Sequence, residues 1–191
     1  MSLRVSLTVL ASAMLLAGCD SEPEGAVQQQ DELSAPKPPL IGEIDYGRAG
    51  TKMPASVFAD PDGAELKTEQ LLGRPVLLNL WATWCVPCIV EMPALDTLAD
   101  VMGDDVKVLT ISQDLTGAKA VEPFFEERGF RNLEPWLDPR NSLSRELGGE
   151  ILPVTILFDG NGEEVFRVTG GYHWDSEDAI AAVREAIAGS E

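Results

Sequence analysis

The order of patterned segments predicts an α/β protein, a mixed central β-sheet with helices on both faces. Two observations carry this. The middle of the chain alternates strand and helix. An apolar run, Val76–Trp81, is followed by a helical repeat to Met102 and a second apolar run, Val106–Ser112. Near the C-terminus, Val154–Phe158 and Glu164–Val168 flank Asp159-Gly160-Asn161-Gly162, a sequence suited to a tight hairpin. Parallel strands need a covering helix at each crossover, whereas a hairpin adds antiparallel strands, so the sheet is mixed.

Taken in order, residues 1–18 read as a secretory signal peptide. Arg4 supplies the positive start and Val5–Leu16 is mostly apolar, too short a run for a membrane span. Leu15-Leu16-Ala17-Gly18-Cys19 resembles the bacterial lipobox, which implies lipidation of Cys19. Asp20 behind it resembles the inner-membrane retention signal of Gram-negative lipoproteins. Residues 19–50 read as a tether, with Gln28-Gln29-Gln30, Ala35-Pro36-Lys37-Pro38-Pro39 and an excess of acidic residues. Such a composition buries too little apolar surface to fold alone. A coil of this length reaches on the order of 30 Å.

Residues 51–191 are expected to form one domain. Ala55–Ala59 and Glu65–Lys67 make a short hairpin around Asp60-Pro61-Asp62-Gly63. Thr68 is expected to cap a short helix, Glu69–Leu72, that ends at Gly73. The helix ending at Met102 is closed by Gly103 and carries Pro93. A further helix ends at Arg128 before Gly129, and Pro123 predicts a start near Glu122 or a kink. Leu133–Leu137 is a candidate strand, and Asn141 a candidate cap for a helix to Leu147. Asp175 or Ser176 caps the last helix, Glu177–Ala188. The chain carries 32 acidic against 14 basic residues, a formal net charge of −18. With no Lys/Arg cluster, nucleic acid is not an expected partner, and the domain itself is unsuited to anionic lipid.

The chemistry concentrates in Cys85-Val86-Pro87-Cys88, where a strand end becomes a helix start. Unpaired N–H groups and the helix dipole favour an anion there, and a thiolate is the reactive form of cysteine. Cys85 comes first and is the expected nucleophile. Cys88, one turn on, is the expected resolving thiol, so the pair can cycle between dithiol and disulfide. A zinc site would need two further ligands, and the remaining candidates are only Cys19 and His173. No haem, flavin or nicotinamide motif is present. The only redox group expected is the Cys85–Cys88 pair itself, with electrons supplied by a membrane thiol donor.

Trp81-Ala82-Thr83-Trp84-Cys85-Val86-Pro87-Cys88, with Glu91-Met92-Pro93-Ala94-Leu95 behind it, resembles the TlpA/ResA group of the thioredoxin superfamily. The resemblance spans roughly residues 54–188. It implies a thioredoxin-like fold with an extra helix–strand insertion before a cis-proline, Pro153. That proline would pack beside the cysteines and leave the backbone of Leu152 free for substrate. Trp84, Pro87 and Leu152 are the expected substrate-binding residues, and Trp81 is expected in the core.

The family also implies a role for Glu91. Thioredoxin carries a buried aspartate where this chain has Asn79, so a carboxylate three residues after Cys88 is a candidate proton acceptor. The implied function is a thiol:disulfide oxidoreductase on the periplasmic side of the inner membrane, reducing protein disulfides in cytochrome c maturation or of copper-site proteins. A Sco-like copper chaperone would use a CxxxC spacing and a distant histidine. A peroxiredoxin-type peroxidase would need its cysteine in a Pro/Thr-rich loop. The sequence assigns no role to His173 and Trp174.

Overall fold

A computed structural model of the chain describes residues 40–189. The signal peptide, Cys19 and most of the tether lie outside these residues. The described elements are β1 Ile44–Asp45, β2 Val57–Ala59, β3 Glu65–Lys67, β4 Val76–Trp81, α1 Val86–Met102, β5 Lys107–Ser112, α2 Ala118–Arg128, β6 Trp136–Leu137, α3 Ser142–Leu147, β7 Val154–Phe158, β8 Glu164–Thr169 and α4 Glu177–Ala188. They build one eight-stranded sheet in the order β1-β8-β7-β4-β5-β6-β2-β3. The β4–β5 and β5–β6 pairs are parallel, and β4–β7 and β7–β8 are antiparallel. The sheet is mixed, and α2, β6 and α3 fill the interval between β5 and β7, which holds the extra helix–strand unit.

β4 is buried along its whole length. Its alternate residues feed two separate cores, as the period of a strand requires. Leu77 and Trp81 join Met92, Leu95 and Leu98 of α1, Val121 of α2 and Val183 of α4. Val76, Leu78 and Leu80 join Leu143 and Leu147 of α3. Replacing one of these leucines with alanine costs about 2–5 kcal/mol. Asn79 points to the α1 side, the one polar residue in the strand.

The sheet begins earlier than the expected boundary at residue 51. Ile44 and Asp45 pair with Val168 and Arg167 at the sheet edge. The Tyr46 ring lies edge-on to Phe166, and the Arg48 guanidinium donates to the Leu147 carbonyl at 2.9 Å. A two-residue edge strand has no periodicity to read, so only tertiary pairing reveals it.

Three local expectations also change. Thr68 does not cap a helix; its hydroxyl accepts from the Ser56 N–H at 2.9 Å, and Thr68–Leu71 is a 3₁₀ turn. Asn141 is the N-cap of α3 as expected, in a left-handed conformation, but its side chain makes no cap bond, and the Asp138 carboxylate instead accepts from the Leu143 N–H and the Ser142 hydroxyl, each at 2.8 Å. α2 starts at Ala118 and simply carries Pro123 inside it. Its Phe124 and Phe125 rings lie 5.1 and 5.9 Å from Trp81, and this packing outweighs one missing helical hydrogen bond. At α4 the cap is Ser176, whose hydroxyl accepts from the Ala179 N–H at 3.2 Å.

Candidate active site

The site forms where β4 leaves the sheet. The turn after Trp81 is held by Asp114, just beyond β5. Its carboxylate accepts from the Thr83 N–H at 2.8 Å, the Thr83 hydroxyl at 2.7 Å and the Ser112 hydroxyl at 2.9 Å. Asp114 is itself buried. This clamp delivers Cys85 to the N-cap of α1. Sequence reasoning missed it, because an aspartate after a strand reads as an ordinary loop residue.

Cys85 and Cys88 are joined as a disulfide. Cys85 is 5% exposed and Cys88 is completely covered, which fits an attacking and a resolving role respectively. Pro87 occupies the second helical position and donates no N–H. No acidic residue lies in the first turn to oppose an anion at Cys85. Outside the disulfide stand Trp84, 68% exposed, and Val86, 61% exposed. Trp81 is fully buried. The Leu152–Pro153 peptide is cis, with Pro153 buried and Leu152 half-buried. Ile151 beside them is exposed and was not singled out from the sequence.

Glu91 is fully buried on α1, one turn beyond Cys88. Oε1 accepts from Asn79 Nδ2 at 2.8 Å. Oε2 accepts from the Tyr172 N–H at 2.9 Å and from the Trp174 indole N–H at 3.3 Å. Asn79 Nδ2 also donates to the Thr155 hydroxyl at 2.8 Å. Burial pushes the Glu91 carboxyl up to about 7 from an ordinary 4.5, against the downward pull of these three donors. A buried carboxyl poised near neutrality, one helical turn from a buried thiol, can take up a proton and return it.

This arrangement gives Trp174 a place that the sequence left unassigned. It is fully buried, with the Tyr172 ring edge-on at 4.9 Å, while His173 between them is exposed. Glu91 and Trp174 are 83 residues apart, and no local signal links them. Among the described residues, no group of three or more His, Cys, Asp or Glu is placed to hold a metal ion.

Fold and site together define a thioredoxin-fold enzyme working through a cysteine pair. The Redoxin family model matches residues 48–183. The HelX thiol:disulfide interchange protein of Rhodobacter capsulatus is 31% identical over 160 residues, covering 82% of this chain and 83% of HelX. The ResA thiol-disulfide oxidoreductase of Bacillus thuringiensis (strain Al Hakam) is 30% identical over 122 residues, covering 63% and 69%. Among solved structures, the exposed lipoprotein thioredoxin Etrx1 of Streptococcus pneumoniae strain TIGR4 is similar with a TM-score of 0.58 and 26% identity, covering 69% of this chain and 99% of that one. The chain belongs to the Redoxin family and, within the thioredoxin superfamily, to its TlpA/ResA-like thiol:disulfide oxidoreductases.

Proposed function

We propose that the protein is a reductant of protein disulfides, held by lipid at Cys19 to the periplasmic face of a bacterial inner membrane. Its substrates are disulfides of proteins in cytochrome c maturation or of copper-site proteins, and a membrane thiol donor regenerates it. No cofactor beyond Cys85–Cys88 is needed in this reading, and nucleic acid is no partner. The observation that carries it is the division of labour between the sulfurs. Cys85 keeps a trace of exposure next to exposed Trp84 in the chain, and Cys88 is fully covered one helical turn from Glu91. Among the described residues no helix is long and apolar enough to cross a membrane, and the lipobox-like sequence supplies the anchor. The lipoprotein nature of Etrx1 is in keeping with that anchor.

In the forward reaction the Cys85 thiolate attacks one sulfur of the partner disulfide. A Cys85–partner disulfide forms and the partner's other sulfur leaves as a thiolate. The Cys88 thiol passes its proton to the Glu91 carboxylate. The Cys88 thiolate then attacks Cys85 Sγ, closing the Cys85–Cys88 disulfide and releasing the second partner thiolate. Two electrons move from the dithiol to the partner. In this reading the cis Leu152–Pro153 segment offers its backbone to the partner, as the family resemblance implies, and exposed Trp84 and half-buried Pro87 offer it apolar surface.

The reduction potential of the Cys85–Cys88 pair tests the direction. A value near or below thioredoxin's, roughly −270 mV, is expected; one near DsbA's, about −120 mV, reverses it. Cys88→Ser should trap partners as mixed disulfides through Cys85, and Cys85→Ser should trap none.

A further inference from the structure

Asn79 carries an unexplained feature. Its amide nitrogen makes two hydrogen bonds, to Glu91 Oε1 and to Thr155 Oγ1, while its buried carbonyl oxygen makes none. Every hydrogen-bond partner shown for Glu91 is a donor: the Asn79 amide, the Tyr172 N–H and the Trp174 indole. This set suits a carboxylate and leaves a carboxylic acid with nowhere to send its own O–H. Two donors converge on Oε2 and one on Oε1, so a proton arriving at Glu91 settles on Oε1, the oxygen facing Asn79. The groups around the carboxyl are Cys88 on its own helix, Asn79 of β4 with Thr155 of β7 behind it, and Tyr172 and Trp174 after β8. Glu91 belongs to none of the ion pairs among the described residues.

We propose that Asn79 is a positioning residue whose amide turns over when Glu91 is protonated, so that Oδ1 replaces Nδ2 and accepts the carboxyl proton. The turned amide keeps two bonds. Oδ1 accepts from the Glu91 O–H and from the Thr155 hydroxyl, which acts as acceptor in one state and donor in the other. The amide makes two bonds in either charge state of Glu91, leaving its oxygen unpartnered in one and its NH₂ in the other, whereas Trp174 and Tyr172 serve only the anion. An aspartate at position 79 would place a second carboxyl against Glu91 and lose this two-way service. The inference rests on Glu91 accepting the Cys88 proton: the thiol gives up H⁺, Glu91 Oε1 gains it, and the amide follows.

The test is NMR on the full chain in its dithiol state between pH 5 and 9. The Glu91 carboxyl carbon gives the titration midpoint. Cross-relaxation between the Asn79 NH₂ protons and the Thr155 γ-methyl is expected above the midpoint and lost below it; an unchanged cross-peak at both ends overturns the switch. Variants give a second reading. Trp174→Phe removes a donor that serves only the anion and should raise the midpoint by about one pH unit. Asn79→Leu should raise it by less, although the Asn79 bond is the shorter, 2.8 against 3.3 Å. A larger rise in Asn79→Leu than in Trp174→Phe overturns the proposal. If Asn79→Leu fails to fold, the wild-type cross-peak decides. Unchanged mixed-disulfide resolution in Glu91→Gln would remove Glu91 as the base and with it the catalytic role of the switch, whereas a titrating cross-peak would still show that the amide turns with the charge of Glu91.

Discussion

Two glutamates of this protein are buried to the same degree and treated in opposite ways. Glu164, on β8, faces Arg167 in a two-pronged ion pair, with nitrogen–oxygen distances of 2.5 and 2.6 Å, and the same guanidinium donates to the Leu147 carbonyl at 2.8 Å. Glu91 has only neutral donors. A buried cation and carboxylate compensate each other's loss of water. Neutral donors reduce the cost of the charge without holding it there, and burial pulls the other way. Glu164 is thus suited to a structural post between β8 and the end of α3, and Glu91 to moving a proton.

The contrast can be broken most severely at Arg167. Arg167→Ala strands a buried charge and should cost about 3–5 kcal/mol in urea denaturation, with dithiol exchange little changed where the protein stays folded. A comparable loss of exchange activity would show that β8 and the site are not separate.

Glu91→Gln should do the reverse. Resolution of the mixed disulfide is expected to slow by about 10²-fold at pH 8, at the lower end of general-base contributions. In the wild type that step should quicken as pH rises through about 7, when Glu91 becomes the carboxylate that accepts the proton; the variant should lack this inflection. Stability adds a second check. A carboxyl raised from 4.5 to about 7 binds its proton more tightly folded than unfolded, so it costs stability as pH rises between those values. The span corresponds to about 3 kcal/mol. The stability of Glu91→Gln relative to wild type should therefore grow over that range in paired denaturation curves. A flat difference would mean that Glu91 is not raised.

Smaller effects sharpen the picture. Asp114→Asn weakens the hold on Thr83 and should cost about 1–3 kcal/mol, with faster hydrogen exchange at the Thr83 N–H. Trp84→Ala should change stability by no more than about 0.5 kcal/mol, because the ring is exposed, yet raise KM for a protein disulfide substrate while leaving that for a small aromatic disulfide nearly unchanged. Equal losses on both substrates would place Trp84 in the chemistry rather than in docking.

What the sequence determined by itself is what local pattern encodes. The Val76–Trp81 run, the helix after Cys85 and the Asp159–Gly162 turn each form from neighbours in the chain, so the strand–helix junction bearing the cysteines was readable directly. The resemblance carried by residues 81–95 extended that reading to Pro153 and Glu91. The tertiary structure decided where the chain's distant parts meet. Ile44–Asp45 becomes a strand only because β8 offers an edge, and α2 absorbs Pro123 only because Trp81 holds its phenylalanines. Asp114 becomes a clamp only because β5 lies beside β4. Most of all, Glu91 is surrounded by Asn79, Tyr172 and Trp174, drawn from β4 and the segment after β8. Burial and the donors that temper it are properties of assembled neighbours, and a carboxyl's affinity for its proton depends on those neighbours rather than on the residues beside it in the chain.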